Sequence, residues 1–350
     1  MVAANLIGFY AAAAIHQLFP YSEVLARHLL LLSAVAYRPQ AEVVRWNFPN
    51  YNCHVGAFEV TKTFDIPEKS TFAFVGLDHQ YEAIVAAFQG TKDEVNWVTD
   101  LSTWFRYGDE CILGAAQVNT ETPLGHKTSV GAPTSIGLVH RGFCEYYTSL
   151  SDLGLPEEIV ALADMHPSYT IYTTGHSLGG AAATLAAADL SLRFGVPRER
   201  LQLYTFGAPR PGDASFGALI GAHVGAAYRV VHAGDVVAHL APCCLASWTG
   251  GCATLETCPY HAAQEVWYPS AMAVGSNHIV CEPVAEDDDC DNLFDRSIKE
   301  HQFYFGIHVA KYCAQVPTES VSASLAADVA ANEALVQLQD AGVLDRAGAS

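Results

Sequence analysis

Charge is scarce in this 350-residue chain: Asp, Glu, Lys and Arg together make up 16% of it. With 51% hydrophobic residues beside so little charge, the composition excludes intrinsic disorder and supports a large core. Basic charge is scarcer still, 18 Lys and Arg against 37 Asp and Glu, for a formal net charge of -19. That imbalance excludes nucleic-acid binding through a basic surface and sets the chain against anionic membranes. No lysine or arginine precedes Arg27, so the apolar stretch Leu6 to Ile15 lacks the positive flank of a secretory leader, although Ala12-Ala13-Ala14 suits a cleavage point. Residues 1–20 are therefore read as a candidate signal or N-terminal apolar segment. No apolar run reaches the length of a spanning helix without polar interruption, and no N-x-S/T sequon is present.

Ten cysteines stand out against these absences. They show no paired C-x-x-C zinc spacing, so disulfides in an oxidising, extracellular compartment are expected. Cys281 with Cys290, and the group Cys243, Cys244, Cys252 and Cys258, read as short disulfide loops, with the pairing left open.

The most informative residues are Gly175-His176-Ser177-Leu178-Gly179-Gly180. A β-branched and aromatic run, Tyr169 to Thr174, precedes them, and an alanine-rich helical run, Ala181 to Phe194, follows. Strand, G-x-S-x-G, helix is the setting of a nucleophile elbow, a sharp turn that lifts a serine hydroxyl above the sheet edge. The helix N-terminus beneath it favours negative charge.

Around this turn, Tyr21 to Tyr37 reads as a helix, Ser70 to Gly76 and Tyr81 to Phe88 as a hairpin, and Arg141 to Leu153 and Pro156 to His166 as helices. Leu201 to Phe206, Tyr228 to His232 and Gln264 to Tyr268 read as strands, with a helix from Ser215 to Val224. Trp104 to Val139 reads as one long irregular stretch. The alternation through the middle implies an α/β architecture with a central, mostly parallel sheet flanked by helices. From Pro317 the chain turns alanine-rich and acidic. The expected division is a main domain over 21–316 and an extension over 317–350.

A serine nucleophile needs a base, and the base needs an orienting acid. In α/β hydrolases the acid and then the histidine follow the serine. Asp213 and Asp235 both lie beyond strands and stand open as acids. His239, His261, His278, His301 and His308 follow Asp235, with His301 and His261 the main competitors for the base. The two oxyanion donors are expected at Leu178, the residue after the serine, and in the segment Ala86 to Thr91, where Gly90 allows a tight backbone.

At this point the chain resembles the class 3 lipase family, the filamentous-fungal type of triacylglycerol lipase, over roughly residues 25 to 313. Five blocks carry the resemblance: Leu32 to Tyr37; Ala87 to Thr91 running into Asn96 to Leu101; His140 to Phe143; Gly175 to Gly180; and Tyr204 to Asp213. The resemblance implies an α/β-hydrolase fold, Ser177, Asp235 and His301 as the catalytic residues, and Thr91 and Leu178 as the oxyanion donors. It also implies pairing of Cys281 with Cys290 and of Cys53 with Cys313. The family's basic residue before the oxyanion Gly-Thr is Gln89 here, the stretch Tyr107 to Val139 is longer, and the segment Cys243 to Cys258 is an insertion.

Lys92, Asp93, Val95, Trp97, Val98 and Leu101 fall on an amphipathic pattern, and the resemblance makes this a short helical lid. Moving one large apolar side chain fully out of water is worth about 1.5–3 kcal/mol, so three or four at a lipid surface would favour an open lid by several kcal/mol. The expected function is that of a secreted triacylglycerol lipase acting at a lipid–water interface on acylglycerols, with no metal or organic cofactor. An esterase on soluble esters such as feruloyl esters, and a non-enzymatic hydrolase-like binding protein, are the alternatives. If the lid reading holds, Trp97→Ala lowers hydrolysis of an emulsified triglyceride more than that of a soluble short-chain ester. Equal losses on both would count against a lid there.

Overall fold

The computed structural model describes residues 19–48, 53–92, 109–112, 135–240, 258–270, 272–273, 275–282, 290 and 296–314. The chain enters through α1 (Glu23–Val35), where the Ser22 side chain caps the Leu25 N–H and Glu23 sits in the first turn, both favourable at a helix N-terminus. A short α2 (Gln40–Arg45) follows. Then β1 (Glu59–Ile66), β2 (Thr71–Asp78) and β3 (Ala83–Phe88) run as an antiparallel meander. Every residue of β2 and β3 is buried, as expected of strands covered on both faces. Asp78 shapes the turn between them by accepting the N–H groups of Gln80 and Tyr81 on one carboxylate oxygen.

Next come β4 (Asp109–Ile112) and β5 (Ser135–Val139), then α3 (Arg141–Ser151) and α4 (Leu155–Met165). The strand β6 (Thr170–His176) leads into α5 (Leu178–Leu192). After it come β7 (Leu201–Phe206), α6 (Ala214–His223), β8 (Ala226–His232), β9 (Gln264–Tyr268) and β10 (Ile279–Val280). A short α7 (Ile298–Gln302) and the hairpin β11 (Phe303–Tyr304) and β12 (Ile307–His308) close the described chain.

One eight-stranded sheet has the order β1-β2-β3-β6-β7-β8-β9-β10. From β3 to β9 neighbouring strands are parallel, so their C-terminal ends lie along one edge. Helices α3 to α6 bury their apolar residues on one face, and α1 covers the other with an aromatic-rich cluster. Nearly all of α5 is buried around its whole circumference, and its run of alanines lets it lie close on the sheet. The one carboxylate inside it, Asp189, accepts from the Tyr147 hydroxyl at 2.6 Å and pairs with Arg193.

The predicted mostly parallel sheet flanked by helices is the observed architecture, and the helices and strands expected in the middle of the chain occur within a few residues of their predicted ends. The long stretch read as irregular is not wholly so, because β4 and β5 pair with each other in a separate two-stranded sheet. Two four- and five-residue strands far apart in sequence leave too little local pattern to be recognised. Of the proposed lid only Lys92 is described; Asp93, Val95, Trp97, Val98 and Leu101 lie outside the described residues, as do 1–18 and the extension 317–350. No helix among the described residues is long and apolar enough to cross a membrane.

Cys53 pairs with Cys313 and Cys281 with Cys290, and Cys258 is also disulfide-bonded. Cys243, Cys244 and Cys252 lie outside the described residues. A further bridge, Cys111 to Cys144, was not expected; it ties β4 to α3 across 33 residues. Closing a loop of that size restricts the unfolded chain, so the double variant Cys111→Ser, Cys144→Ser should lose about 2–4 kcal/mol of stability. The denaturant midpoint measures this, and an unchanged midpoint would show that the bridge adds no constraint.

Candidate active site

The site collects where the parallel strands end. Phe88 of β3 lies opposite Gly175 of β6, so Gln89-Gly90-Thr91 and His176-Ser177 leave the sheet side by side. His176 in turn faces Phe206 of β7, and the Ser177 N–H donates to the Phe206 carbonyl at 2.9 Å. Ser177 has φ 59° and ψ -132°, a conformation that L-residues avoid and that occurs where surrounding structure forces it. The force is close backbone packing. A Cβ at Gly175 would run into the Gly179 carbonyl, and one at Gly179 into the Phe88 carbonyl. The turn therefore demands glycine on both sides of the serine.

Ser177 is fully buried, and its hydroxyl makes no hydrogen bond to the described residues. The same holds for the Thr91 hydroxyl at the end of the adjacent strand. Leu178 is the first residue of α5, so its N–H belongs to the free donors of that helix start. The Gln89–Thr91 turn is held from several sides. The Gln89 N–H donates to Phe72 O at 2.9 Å, its side-chain amide to Ala36 O at 2.7 Å, and the Tyr146 hydroxyl to Gln89 O at 2.7 Å. Gln89, which departs from the family pattern, thus serves as a buried bracket between this turn and the end of α1.

The two open acids separate clearly. Asp213 is the N-cap of α6, its carboxylate accepting the Phe216 N–H at 2.8 Å. Asp235 instead lies 2.9 Å from His301 Nδ1 through Oδ2, with both side chains fully buried. Its other oxygen accepts the N–H groups of Val237 at 2.8 Å and Ala238 at 3.3 Å. The competing histidines also separate. His239 bonds the Asp235 main-chain carbonyl at 2.7 Å, and His261 is buried with its carbonyl facing Gly217 of α6. His278 packs against Tyr21 and Tyr268, and His308 sits on β12. The loop that carries Asp235 and the helix that carries His301 are zipped together: Ser297 N–H donates to Gly234 O at 2.9 Å, and Gly234 N–H to the Glu300 carboxylate at 2.7 Å.

Two contributors escaped the sequence reading. Tyr304 donates its hydroxyl to Asp235 Oδ2 at 2.5 Å. Gly207, at φ 56°, leaves the space that Asp235 and His301 occupy. A Cβ there would sit 2.8 Å from His301 Nδ1 and collide with Asp235. The spacing His301-x-x-Tyr304 and the glycine after β7 were the only signals in the sequence. Burial by itself would raise the Asp235 carboxyl, but the His301 imidazole and the hydrogen bonds from His301 and Tyr304 hold it well below the usual carboxylate range. Burial and then the Asp235 charge push the Tyr304 hydroxyl up, so it remains a donor. Burial, then His301, pushes His176 well below the ordinary histidine range, and it is neutral.

A serine on an elbow between strand and helix, at the edge of a mostly parallel sheet and beside a buried His–Asp pair, defines an α/β hydrolase. Residues 85–245 match the family model for the class 3 lipases. A lipase of Caenorhabditis elegans is 28% identical over 83% of this chain and 81% of its own length. A secreted mono- and diacylglycerol lipase of Fusarium solani is 33% identical over 49% of this chain, which spans only 43% of that relative's length. A solved triacylglycerol lipase, described as having a serine protease triad at its catalytic centre, superposes with a TM-score of 0.65 at 26% identity, covering 84% of this chain and 98% of that one. Over residues 85–245 and across this superposition the chain is similar to the class 3 lipases.

Buried neutral histidines make the fold acid-sensitive. Burial, then the Lys311 charge, lowers His308 to about 4. A histidine depressed in the folded state binds its proton in the unfolded chain first, so its stabilising contribution is full above the unfolded value of about 6.5 and is lost as pH falls toward 4. The melting temperature should therefore drop between pH 7 and 5, and His308→Gln should drop less steeply. Equal slopes would show that His308 titrates alike in both states.

Proposed function

We propose that the chain hydrolyses the carboxylic ester bonds of acylglycerols by acyl transfer through Ser177. The buried pairing of His301 with Asp235 beside the strained Ser177 turn is the observation that carries this reading. His301 takes the Ser177 proton as the hydroxyl attacks the ester carbonyl. Asp235 fixes the imidazole through Nδ1–H, leaving Nε2 for the serine, and offsets the positive charge that forms. The N–H groups of Leu178 and Thr91, with the Thr91 hydroxyl, receive the oxyanion, and each such donor is worth about 2.7–4 kcal/mol of transition-state stabilisation. His301 then protonates the leaving alcohol, and water, deprotonated by the same imidazole, releases the fatty acid. These steps use no metal or organic cofactor.

The named substrates of the relatives support acylglycerols as the substrate class, and the secreted Fusarium relative together with the disulfides supports an extracellular setting. Action at a lipid–water interface, with 92–101 as a lid, completes the proposal.

The deciding experiment follows hydrolysis of a short-chain triglyceride as its concentration crosses the solubility limit. A rate jump at the limit supports interfacial lipase action, whereas smooth saturation below it favours an esterase on soluble esters. Ser177→Ala should reduce kcat by about 10⁶-fold, and Asp235→Asn by about 10⁴-fold. Asp213→Asn should stay near wild type, because asparagine also caps a helix. Activity retained in Ser177→Ala, or a larger loss in Asp213→Asn than in Asp235→Asn, would overturn the assignment.

A further inference from the structure

His176, inside the elbow motif, has no part in the proton transfers above, yet it is fully buried against the base. Its ring lies 4.4 Å from that of His301, with planes inclined by 26°. Its Nε2 is 2.8 Å from the His301 main-chain carbonyl, and its Nδ1 is 2.8 Å from the hydroxyl of Tyr37, at the end of the first helix. These contacts dictate the protons. A carbonyl only accepts, so Nε2 carries the hydrogen. In a neutral imidazole Nδ1 is then a lone pair, and the Tyr37 hydroxyl must donate to it. Because His176 directly precedes Ser177, one residue joins the nucleophile, through its backbone, to the base, through its side chain.

We propose that His176 is a positioning residue that holds His301 in its working orientation by a hydrogen bond to the His301 carbonyl, with Tyr37 locking the tautomer that makes the bond. The proposal rests on the assignment of His301 as the base. An imidazolium forms on His301 in each half-reaction, and a neutral, stacked His176 meets it without charge repulsion. Removing the Tyr37 hydroxyl frees Nδ1 to take the proton. The tautomer that results has no hydrogen on Nε2, and two lone pairs then face each other at the His301 carbonyl. It also removes a hydrogen bond to the neutral ring, which eases protonation of His176 in acid. The other titratable groups around the ring are His301, Asp235, Tyr304 and His308.

The test measures kcat, KM, pH profile and melting temperature on a soluble short-chain ester for Tyr37→Phe, His176→Leu and His176→Gln. Tyr37→Phe should lose about tenfold in kcat with KM unchanged, the size of one hydrogen bond. Its acid limb in kcat/KM should move to higher pH. His176→Leu removes this donor from the buried His301 carbonyl and should lose about 10–100-fold. His176→Gln, whose amide can present a donor near the Nε2 position, should recover most of that loss. Should His176→Leu fail to fold, Tyr37→Phe, one oxygen atom smaller than wild type, decides the matter. Wild-type kcat and pH profile in Tyr37→Phe, or equal kcat in the Leu and Gln variants, overturns the proposal. Ser177→Ala is run alongside. If it is inactive while the His176 variants match wild type, only the positioning role fails, and if it retains activity the serine assignment itself fails.

Discussion

Everything in the site depends on how closely three backbone segments approach one another at Ser177. The last turn of β6, the first turn of α5 and the end of β3 meet with no room for a Cβ at Gly175 or Gly179. This packing forces the serine into its strained conformation and puts the start of α5 beneath it. It also brings the Gln89–Thr91 turn alongside. A buried helix of alanines is what makes the approach possible, because larger side chains would hold α5 off the sheet. The chemistry at the sheet edge is thus secured by the volume of residues that take no part in it.

A second absence of volume organises Asp235 and His301. Gly207 follows β7 at the point where Asp235, His301 and Tyr304 converge, and the missing side chain is the space they fill. Asp235 is then surrounded by donors: two main-chain N–H groups on one oxygen, an imidazole and a phenol on the other. A carboxylate so deeply buried stays charged only because each lone pair has a partner.

The parts of this arrangement that are local in sequence could be read there. The strands β2, β3 and β6 to β9 announced themselves by β-branched and aromatic runs, and the elbow by small residues between a strand and a helix. Asp213 and Asp235 could not be told apart from their own neighbourhoods, since each follows a strand in a polar turn. Only the tertiary structure reveals one as a helix cap and the other as the partner of a residue 66 positions away. His301 carried no local mark beyond the aromatic residues after it, and the family resemblance chose it over His261. Tyr304, Gly207 and the Cys111–Cys144 bridge are relations between distant segments, and a one-dimensional pattern holds no record of such distances.

The bridge between Cys53 and Cys313 joins positions 260 residues apart, one before β1 and the other after β12. It turns this stretch into a covalent ring that carries every strand of the main sheet together with Ser177, Asp235 and His301, while α1 and α2 precede it. A single cut by a protease in any loop on that ring opens the chain without dividing the molecule. The two sides of the cut stay tethered, so the parts that build the site keep a high effective concentration for one another. Topology of this kind makes the first nick by a protease an event that can be survived.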